Sequence, residues 1–302
     1  MGECQLNNYK HSGRITFFGV IATAVAGLVA GFPLAFIYAW GIVQISEQHL
    51  SGMATMAYGT IIGAIVWLVA RSGKVRNVQI VGFLAVCAAT ASFYWSWAFW
   101  VTDIFHTVGQ EELNTIGLEE LNAFALMQRP HALWELIKLI NQDGTWGSIA
   151  GNATKGAELW IMWVCEAVAV VGTAALTAVT GLQAQPFCEA CKVWCSASEK
   201  LCLSPAGDLA QTRLQLAQRD FSFLQRLGVG NRNGVHLSAV LHSCPNCGEL
   251  NTVTLPQTLG PQRRFRSPHV TLADKLLISR SEADLFRRTA AGLKQLSKVT
   301  HG

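Results

Sequence analysis

The chain has 302 residues, nine cysteines and a formal net charge of +4. Residues 1–182 carry 8 Lys and Arg against 11 Asp and Glu, whereas residues 183–302 carry 15 against 8. An apolar, slightly acidic front half joined to a basic back half indicates a membrane domain followed by a cytosolic one. The cysteine count is odd and six cysteines fall within residues 188–247, which argues against the disulfide framework of a small secreted protein.

Two apolar runs open the chain, the first over residues 15–43 and the second over residues 53–70. The first is too long for the hydrophobic core of a signal peptide and long enough to cross a bilayer with some tilt. Each run contains a G-x-x-x-G pair, and this spacing predicts a face on which a neighbouring helix packs closely. The pairs are Gly27 with Gly31 and Gly59 with Gly63.

The turn after the second run, residues 71–77, contains three basic residues and no acidic one. Short basic loops stay in the cytoplasm during membrane insertion, so this turn predicts the orientation of the flanking helices. Two further apolar runs, described below, bring the number of spans to four, so both termini then lie in the cytoplasm. A bacterial inner membrane is the expected location. Lys10 and Arg14 agree with this orientation, as does the basic C-terminal region.

A third run covers residues 78–101 and ends in a cluster of aromatic residues between Phe93 and Trp100. Such clusters are typical of a membrane–water interface, and we favour this interpretation over a ligand pocket. Residues 102–156 then form an outer loop with seven acidic and three basic residues, a balance that suits the far side of the membrane. Within it, residues 130–142 predict an amphipathic helix that lies in the interface or covers the ends of the spans.

The fourth run covers residues 157–182 and contains Glu166. An ionisable side chain is costly inside a membrane, so it indicates either a function or a set of stabilising hydrogen bonds. The structural interpretation is a protonated or hydrogen-bonded carboxyl that pins the bundle through Tyr94, Ser96 or a tryptophan. The functional interpretation is a proton or ion pathway, which would make the protein a small transporter or an accessory subunit of one.

After residue 182 the pattern becomes that of a water-soluble domain. Cys188 and Cys191 form a C-x-x-C pair, and a C-P-x-C-G motif occupies residues 244–248. The motif lies between two alternating stretches, residues 235–241 and 250–255, which predict strands. Strand, C-P-x-C-G and strand together are the knuckle of a zinc ribbon. Two thiolates separated by two residues bind one tetrahedral ion, and the glycine lets the backbone turn toward the sulfurs.

Two such pairs predict one structural Zn²⁺ site with four thiolate ligands and no position left open for catalysis. The ligands are Cys188, Cys191, Cys244 and Cys247. The gap between the pairs is longer than in a usual zinc ribbon, so a helix predicted over residues 207–227 would be an insertion. The first pair also lacks the glycine. Three alternatives stay open: a local site that uses Cys195 or Cys202 with His242 beside the other pair, a thiol redox pair, or no site.

The last part of the chain is basic. Residues 256–268 predict a linker or solvated turn that includes Arg263, Arg264 and Arg266, three candidates for contact with anionic lipid headgroups. The membrane tether argues against nucleic acid as a partner, although a basic zinc ribbon would suit one. Residues 281–298 predict a closing helix.

The most specific motifs of the chain are GKVRN at residues 73–77, FCxxC at residues 187–191 and CPxCG at residues 244–248. Together with the Gly-rich first span and the aromatic end of the third, they resemble a group of uncharacterised bacterial multi-pass membrane proteins with a cytosolic zinc-ribbon-like tail. The resemblance covers most of the chain. It implies the same architecture and carries no established activity.

These observations predict a membrane α-helical bundle of four transmembrane helices, residues 1–182, followed by a small α+β zinc-ribbon-like cytosolic domain, residues 183–302. We expect the bilayer and a cytosolic protein as partners, with the zinc domain as a structural or interaction module. An enzyme is not favoured because the chain has no nucleophile–base pair, phosphate loop or HExxH-type motif. The competing hypotheses are a transporter that uses Glu166 and a membrane thiol oxidoreductase that uses Cys188 and Cys191.

Overall fold

The computed structural model describes residues 7–45, 48–108, 122–147, 153–205, 208–230, 234–258 and 269–299. These residues belong to two compact units. One unit is Gly13–Gln183, and the other combines the residues up to Ser12 with those from Ala184 onward. The sequence assigned the whole N-terminal segment to the membrane domain, whereas the structure places residues 7–12 in the C-terminal unit.

The described part of the first unit contains six helices. They are α1 (Phe17–Gln44), α2 (Gln48–Ser72), α3 (Val78–Val108), α4 (Ala123–Gln128), α5 (Pro130–Asp143) and α6 (Ala157–Gln183). Four of them, α1, α2, α3 and α6, are long and apolar enough to cross a membrane. A helix satisfies its backbone hydrogen bonds internally, which is what an apolar chain needs in lipid. The four predicted spans are confirmed, and they identify a multi-pass membrane protein.

The four long helices pack as a bundle in which α1 and α6 each contact both α2 and α3. Glycines let the helices approach closely. A Cβ on Gly27 would lie 2.9 Å from the Cβ of Ala88 on α3, and one on Gly63 would lie 2.9 Å from the Cα of Ala174 on α6. A methyl group does not fit at either distance, so the predicted glycine faces are packing faces.

The segment between α3 and α6 carries the predicted amphipathic helix. This helix, α5, buries one apolar face that includes Leu133, Leu136 and Ile140, and it packs against α3. It ends at Gly144, whose φ of 92° suits a residue without a side chain. The shorter α4 precedes it and was not predicted. Two short strands, β1 (Thr145–Gly147) and β2 (Ala153–Thr154), pair before α6 begins.

The second unit is an α+β domain. Its elements are β3 (Phe187–Cys188), β4 (Val193–Trp194), β5 (Ser196–Leu203), α7 (Leu209–Ala217), α8 (Phe223–Arg226), β6 (His236–Ser243), β7 (Asn251–Thr258), β8 (His269–Ile278) and α9 (Arg280–Val299). Strands β5, β6, β7 and β8 form an antiparallel sheet in that order, and β3 pairs with β4 as a separate hairpin. Alternate sheet residues such as Leu237 and Leu241 form one core with Leu216, Phe223 and Phe286 of the helices.

Three elements of this unit match the sequence prediction. The two strands around the C-P-x-C-G motif are β6 and β7, and the closing helix is α9. The single helix predicted over residues 207–227 is wrong, because the chain breaks between α7 and α8 at Arg219, which has a φ of 58°. Strands β5 and β8 were not predicted, since charged residues such as Glu199 and Lys275 interrupt their apolar alternation.

Residues 7–9 extend the sheet along the outer edge of β8. The Tyr9 N–H donates to the carbonyl of Lys275 (2.8 Å), and the Leu277 N–H donates to the carbonyl of Asn7 (3.0 Å). The segment that directly precedes the first span is therefore part of the C-terminal unit, where it protects an otherwise open strand edge.

Candidate metal centre

Two separate turns carry the cysteines of the site. The first is the β3–β4 hairpin, in which Cys188 pairs with Val193. The second joins β6 to β7. There the Cys244 N–H donates to the carbonyl of Leu250 (3.0 Å), and the Gly248 N–H donates to the carbonyl of Cys244 (3.2 Å). Each turn therefore holds its two cysteines on a hydrogen-bonded loop.

The structure brings the two cysteine pairs together. The sulfur atoms of Cys188, Cys191, Cys244 and Cys247 all lie within 4.8 Å of one another. Those of Cys188 and Cys247 are 3.8 Å apart. Four thiolates at about 2.3 Å from one tetrahedral ion lie about 3.8 Å from each other, so the arrangement fits a metal ion. Among the described residues, no other group of His, Cys, Asp and Glu side chains is close enough to hold one.

The residue after each cysteine pair has a left-handed backbone conformation. Gly248 has a φ of 66°, and Lys192, the corresponding residue of the first turn, has a φ of 55°. In the second turn this geometry lets the Glu249 N–H donate to the sulfur of Cys247 (3.4 Å). The missing glycine therefore does not prevent the first turn from forming. Lys192 adopts the conformation at a cost of roughly 1 kcal/mol.

Exchanging the residue types at these two positions has opposite expected effects. Gly248→Ala places a Cβ in the left-handed region and is expected to destabilise the C-terminal unit by about 1 kcal/mol. Lys192→Gly relieves the same strain but makes the unfolded chain more flexible, so we expect little change or a slight gain. Chelator-induced metal loss, followed with a chromophoric chelator, compares both variants with the parent. Equal sensitivity of the two would contradict the prediction.

The thiols of Cys188, Cys191 and Cys244 differ in how readily they ionise. The thiol of Cys247, with burial, raises the pKa of Cys191 to about 12. Burial and the thiols of Cys244 and Cys247 raise the pKa of Cys188. Burial raises the pKa of Cys244 too, but N–H groups of Cys247 and Asn246 outweigh it and bring that pKa to about 7. A bound cation is what allows all four thiolates to form together.

Cys195, Cys202 and His242 do not join this group. Cys195 is buried against it, and burial together with the charge of Cys244 raises the pKa of Cys195 to about 12, which keeps the thiol neutral. The thiol of Cys202 on β5 donates to the carbonyl of Gly230 (3.6 Å). His242 lies on β6, outside the four-cysteine group. The local sites that used these three residues are therefore not supported.

A buried polar network holds the second cysteine turn. The Asn251 amide donates to the carbonyl of Gly248 (2.7 Å) and accepts from the hydroxyl of Ser243 (2.7 Å). Arg287 on α9 donates to that hydroxyl (2.9 Å). Sequence reasoning missed all three side chains. Ser243 and Asn251 flank the motif and could have been found by their position, but Arg287 is distant in sequence and only the fold brings it there.

The N-terminal segment contacts the first cysteine turn. The Phe187 N–H donates to the hydroxyl oxygen of Tyr9 (3.0 Å). The Ser12 hydroxyl donates to the carboxylate of Glu189 (2.5 Å). The residues that lead into the first span are thus bound to the turn that carries Cys188 and Cys191.

Glu166 on α6 contacts the neighbouring helices. Tyr38 on α1 donates a hydrogen bond to its carboxylate, and the Tyr38 hydroxyl lies 2.9 Å from that of Thr55 on α2. The ring of Tyr38 stacks on that of Tyr58, with a centroid separation of 4.4 Å. Tyr38, Thr55 and Tyr58 are all buried. One hydroxyl therefore ties Glu166 to two other helices.

The hydroxyl partners that the sequence proposed for Glu166 are wrong. Tyr94 donates instead to the carbonyl of Met127 (2.9 Å), and Ser96 donates to the carbonyl of Phe93 (2.7 Å). Both lie on α3, whereas the observed partner lies on α1. Which of these hydroxyl groups faces Glu166 depends on how each helix is rotated about its axis, and the sequence does not reveal this rotation.

Part of the aromatic cluster on α3 lies inside the bundle. Trp97 packs edge to face against Trp100 and against Trp163 of α6, with ring centroids 5.1 and 5.0 Å apart. Trp97 and Trp163 also line two cavities. These rings therefore line cavities, which the alternative interpretation as a ligand pocket requires.

The three arginines proposed for lipid contact, Arg263, Arg264 and Arg266, lie outside the described residues. No family model matches the chain, and no curated protein or solved structure matches it either. The fold and site alone therefore define the class: a multi-pass membrane protein whose C-terminal unit carries a four-cysteine cluster suited to a metal ion.

Proposed function

We propose that this is a bacterial inner-membrane protein whose C-terminal unit is a zinc-stabilised cytosolic module that binds another protein and does not catalyse a reaction. The observation that carries the proposal is the mutual proximity of four sulfurs, all within 4.8 Å. Four thiolates complete a tetrahedral shell around Zn²⁺, so such a site contributes folding energy and leaves no position for substrate or water.

The domain organisation supports placing both termini on one side of the membrane. Residues 7–12, which precede α1, and the described residues from Ala184 onward, which follow α6, fold into the same unit. An even number of spans returns the chain to the side from which it started. The basic turn between α2 and α3 assigns that side to the cytoplasm. A C-terminal green fluorescent protein fusion is expected to fluoresce, and an active alkaline phosphatase fusion at the same point would contradict the orientation.

A thiol oxidoreductase is the competing proposal, and metal analysis separates the two. We expect the full-length protein, purified in detergent without added metal, to contain about one zinc per chain. The four cluster thiols are then protected from alkylation until a chelator removes the metal, because a metal-bound thiolate is not free to react. Absence of metal together with rapid alkylation of Cys188 or Cys191 would instead support the redox function.

A further inference from the structure

Among the residues that the structure describes, no cationic side chain is paired with Glu166. Arg71, at the end of α2, is the only Lys or Arg in the four long helices. Within the described part of the chain, the contact of the Glu166 carboxylate is the neutral hydroxyl of Tyr38. A carboxylate inside a membrane is costly unless it is protonated or paired with a cation. No described residue supplies such a cation to Glu166, so a ligand can supply it.

Beside Glu166 lies a small cavity of about 30 Å³. By this measure a single water needs roughly 10–15 Å³, so the space admits a group as small as an ammonium ion. Its polar lining consists of Glu166, Tyr38 and Ser96, and its aromatic lining includes the indoles of Trp97, Trp100 and Trp163. Carboxylate and hydroxyl oxygens accept N–H donors, and indole faces attract cations.

A larger cavity of about 270 Å³ adjoins the first. It is lined mostly by apolar and aromatic side chains, among them Leu133 and Ile137 of α5 and Trp160 of α6. Trp97 and Trp163 line both cavities and therefore form the wall between them. A polar cavity with one acidic group and an apolar cavity beside it have the shape of a site for a molecule with a charged head and an apolar body.

We propose that the two cavities form one binding site for an amphiphilic amine in its cationic form. The ammonium head binds the Glu166 carboxylate beside Tyr38 and the indole rings, and the apolar body occupies the larger cavity. A change of rotamer at Trp97 or Trp163 joins the two spaces. The head is a small ammonium group, which the volume of about 30 Å³ next to Glu166 accommodates.

The lining favours an ammonium group over a metal ion. Calcium and magnesium take roughly six or more oxygen ligands. Three oxygen-bearing side chains line the small cavity, and the rest of its surface is aromatic or aliphatic. Aromatic faces compensate an ammonium group but do not complete the shell of a hard metal ion.

Calorimetric titration of the full-length protein in detergent with n-hexylamine and 1-hexanol tests the proposal at neutral pH. The two probes have the same apolar body and differ in the charge of the head. We expect hexylamine to bind at least about tenfold more tightly than hexanol, as a buried charge pair requires. Ammonium ion alone is expected to bind more weakly than hexylamine, because it leaves the apolar cavity unfilled.

Two variants test the contributions of the two cavities separately. Glu166→Gln keeps the shape of the side chain and is expected to reduce hexylamine affinity to that of hexanol. Ala167→Phe fills part of the larger cavity and is expected to weaken hexylamine while leaving ammonium unchanged. Thr180→Val, which removes a hydroxyl bonded to the Leu176 carbonyl on the same helix and outside the lining of both cavities, is the control and should leave the amine-to-alcohol ratio unchanged.

Equal affinities for hexylamine and hexanol in the parent protein would overturn the proposal. So would an unchanged ratio in Glu166→Gln, or ammonium binding as tight as that of hexylamine. If Glu166→Gln does not fold, as judged by size-exclusion chromatography, Ala167→Phe and the probe comparison in the parent still decide the matter.

Discussion

Cys244→Ser is expected to abolish metal binding and to release the β3–β4 hairpin while the rest of the C-terminal unit stays folded. Structural zinc contributes on the order of 10 kcal/mol to small domains that depend on it. We expect the hairpin to depend on a bound metal ion, because its two strands are two residues each and the buried cluster around it consists mainly of cysteines. The four-stranded sheet has a separate core of leucine, phenylalanine and other apolar residues, which needs no metal.

The measurements are zinc per chain and limited proteolysis of the full-length protein in detergent. We expect zinc to fall to near zero and new cleavage to appear between residues 184 and 195, with the sheet protected. Cys202→Ser is the matched control. It removes a thiol from the same unit, outside the group of four, and should leave both readouts unchanged. Retention of a full equivalent of zinc by Cys244→Ser would exclude the four-cysteine site.

The same variant tests the contact between the cysteine turn and the N-terminal segment. Tyr9 accepts a hydrogen bond from the backbone of Phe187, next to Cys188 of the four-cysteine cluster, and its own backbone pairs with β8. Release of the hairpin removes the first contact and leaves the second. We therefore expect cleavage after Lys10 to become faster in Cys244→Ser. The metal would then stabilise the segment that enters the first span as well as the one that leaves the fourth.

The sequence revealed features that depend on spacing along the chain. The four spans, α5, the strands around C-P-x-C-G and the four cysteines all follow from local periodicity or from a short motif. Features that depend on the rotation or pairing of distant elements were missed. Tyr38 beside Glu166, Arg287 beneath the second turn and residues 7–9 on the edge of β8 belong to this class. The left-handed conformation of Lys192 was missed for another reason, since a lysine rarely adopts the conformation expected of glycine.

Gly63→Ala is expected to destabilise the membrane bundle by about 2 kcal/mol, the usual cost of forcing a methyl group into a packed interior. Its Cβ would lie 2.9 Å from the Cα of Ala174, a backbone atom that no rotamer change can move. Helices α2 and α6 would have to separate. Gly59 has the same relation to α6, with its Cβ 2.9 Å from the Cα of Val170, so Gly59→Ala should behave alike.

Gly172→Ala provides the control on α6 itself. A Cβ there meets nothing within 4 Å, and alanine is the better helix former, so this change should be neutral or slightly stabilising. The measurement is thermal unfolding in detergent, followed by fluorescence-detected size-exclusion chromatography. We expect a lower unfolding midpoint for Gly63→Ala than for the parent protein, and no lower midpoint for Gly172→Ala. Equal midpoints would show that α2 and α6 do not pack as described. Because α6 also carries Glu166, its separation from α2 would move that carboxylate away from Thr55, whose hydroxyl contacts Tyr38, and the amine site should weaken together with the bundle.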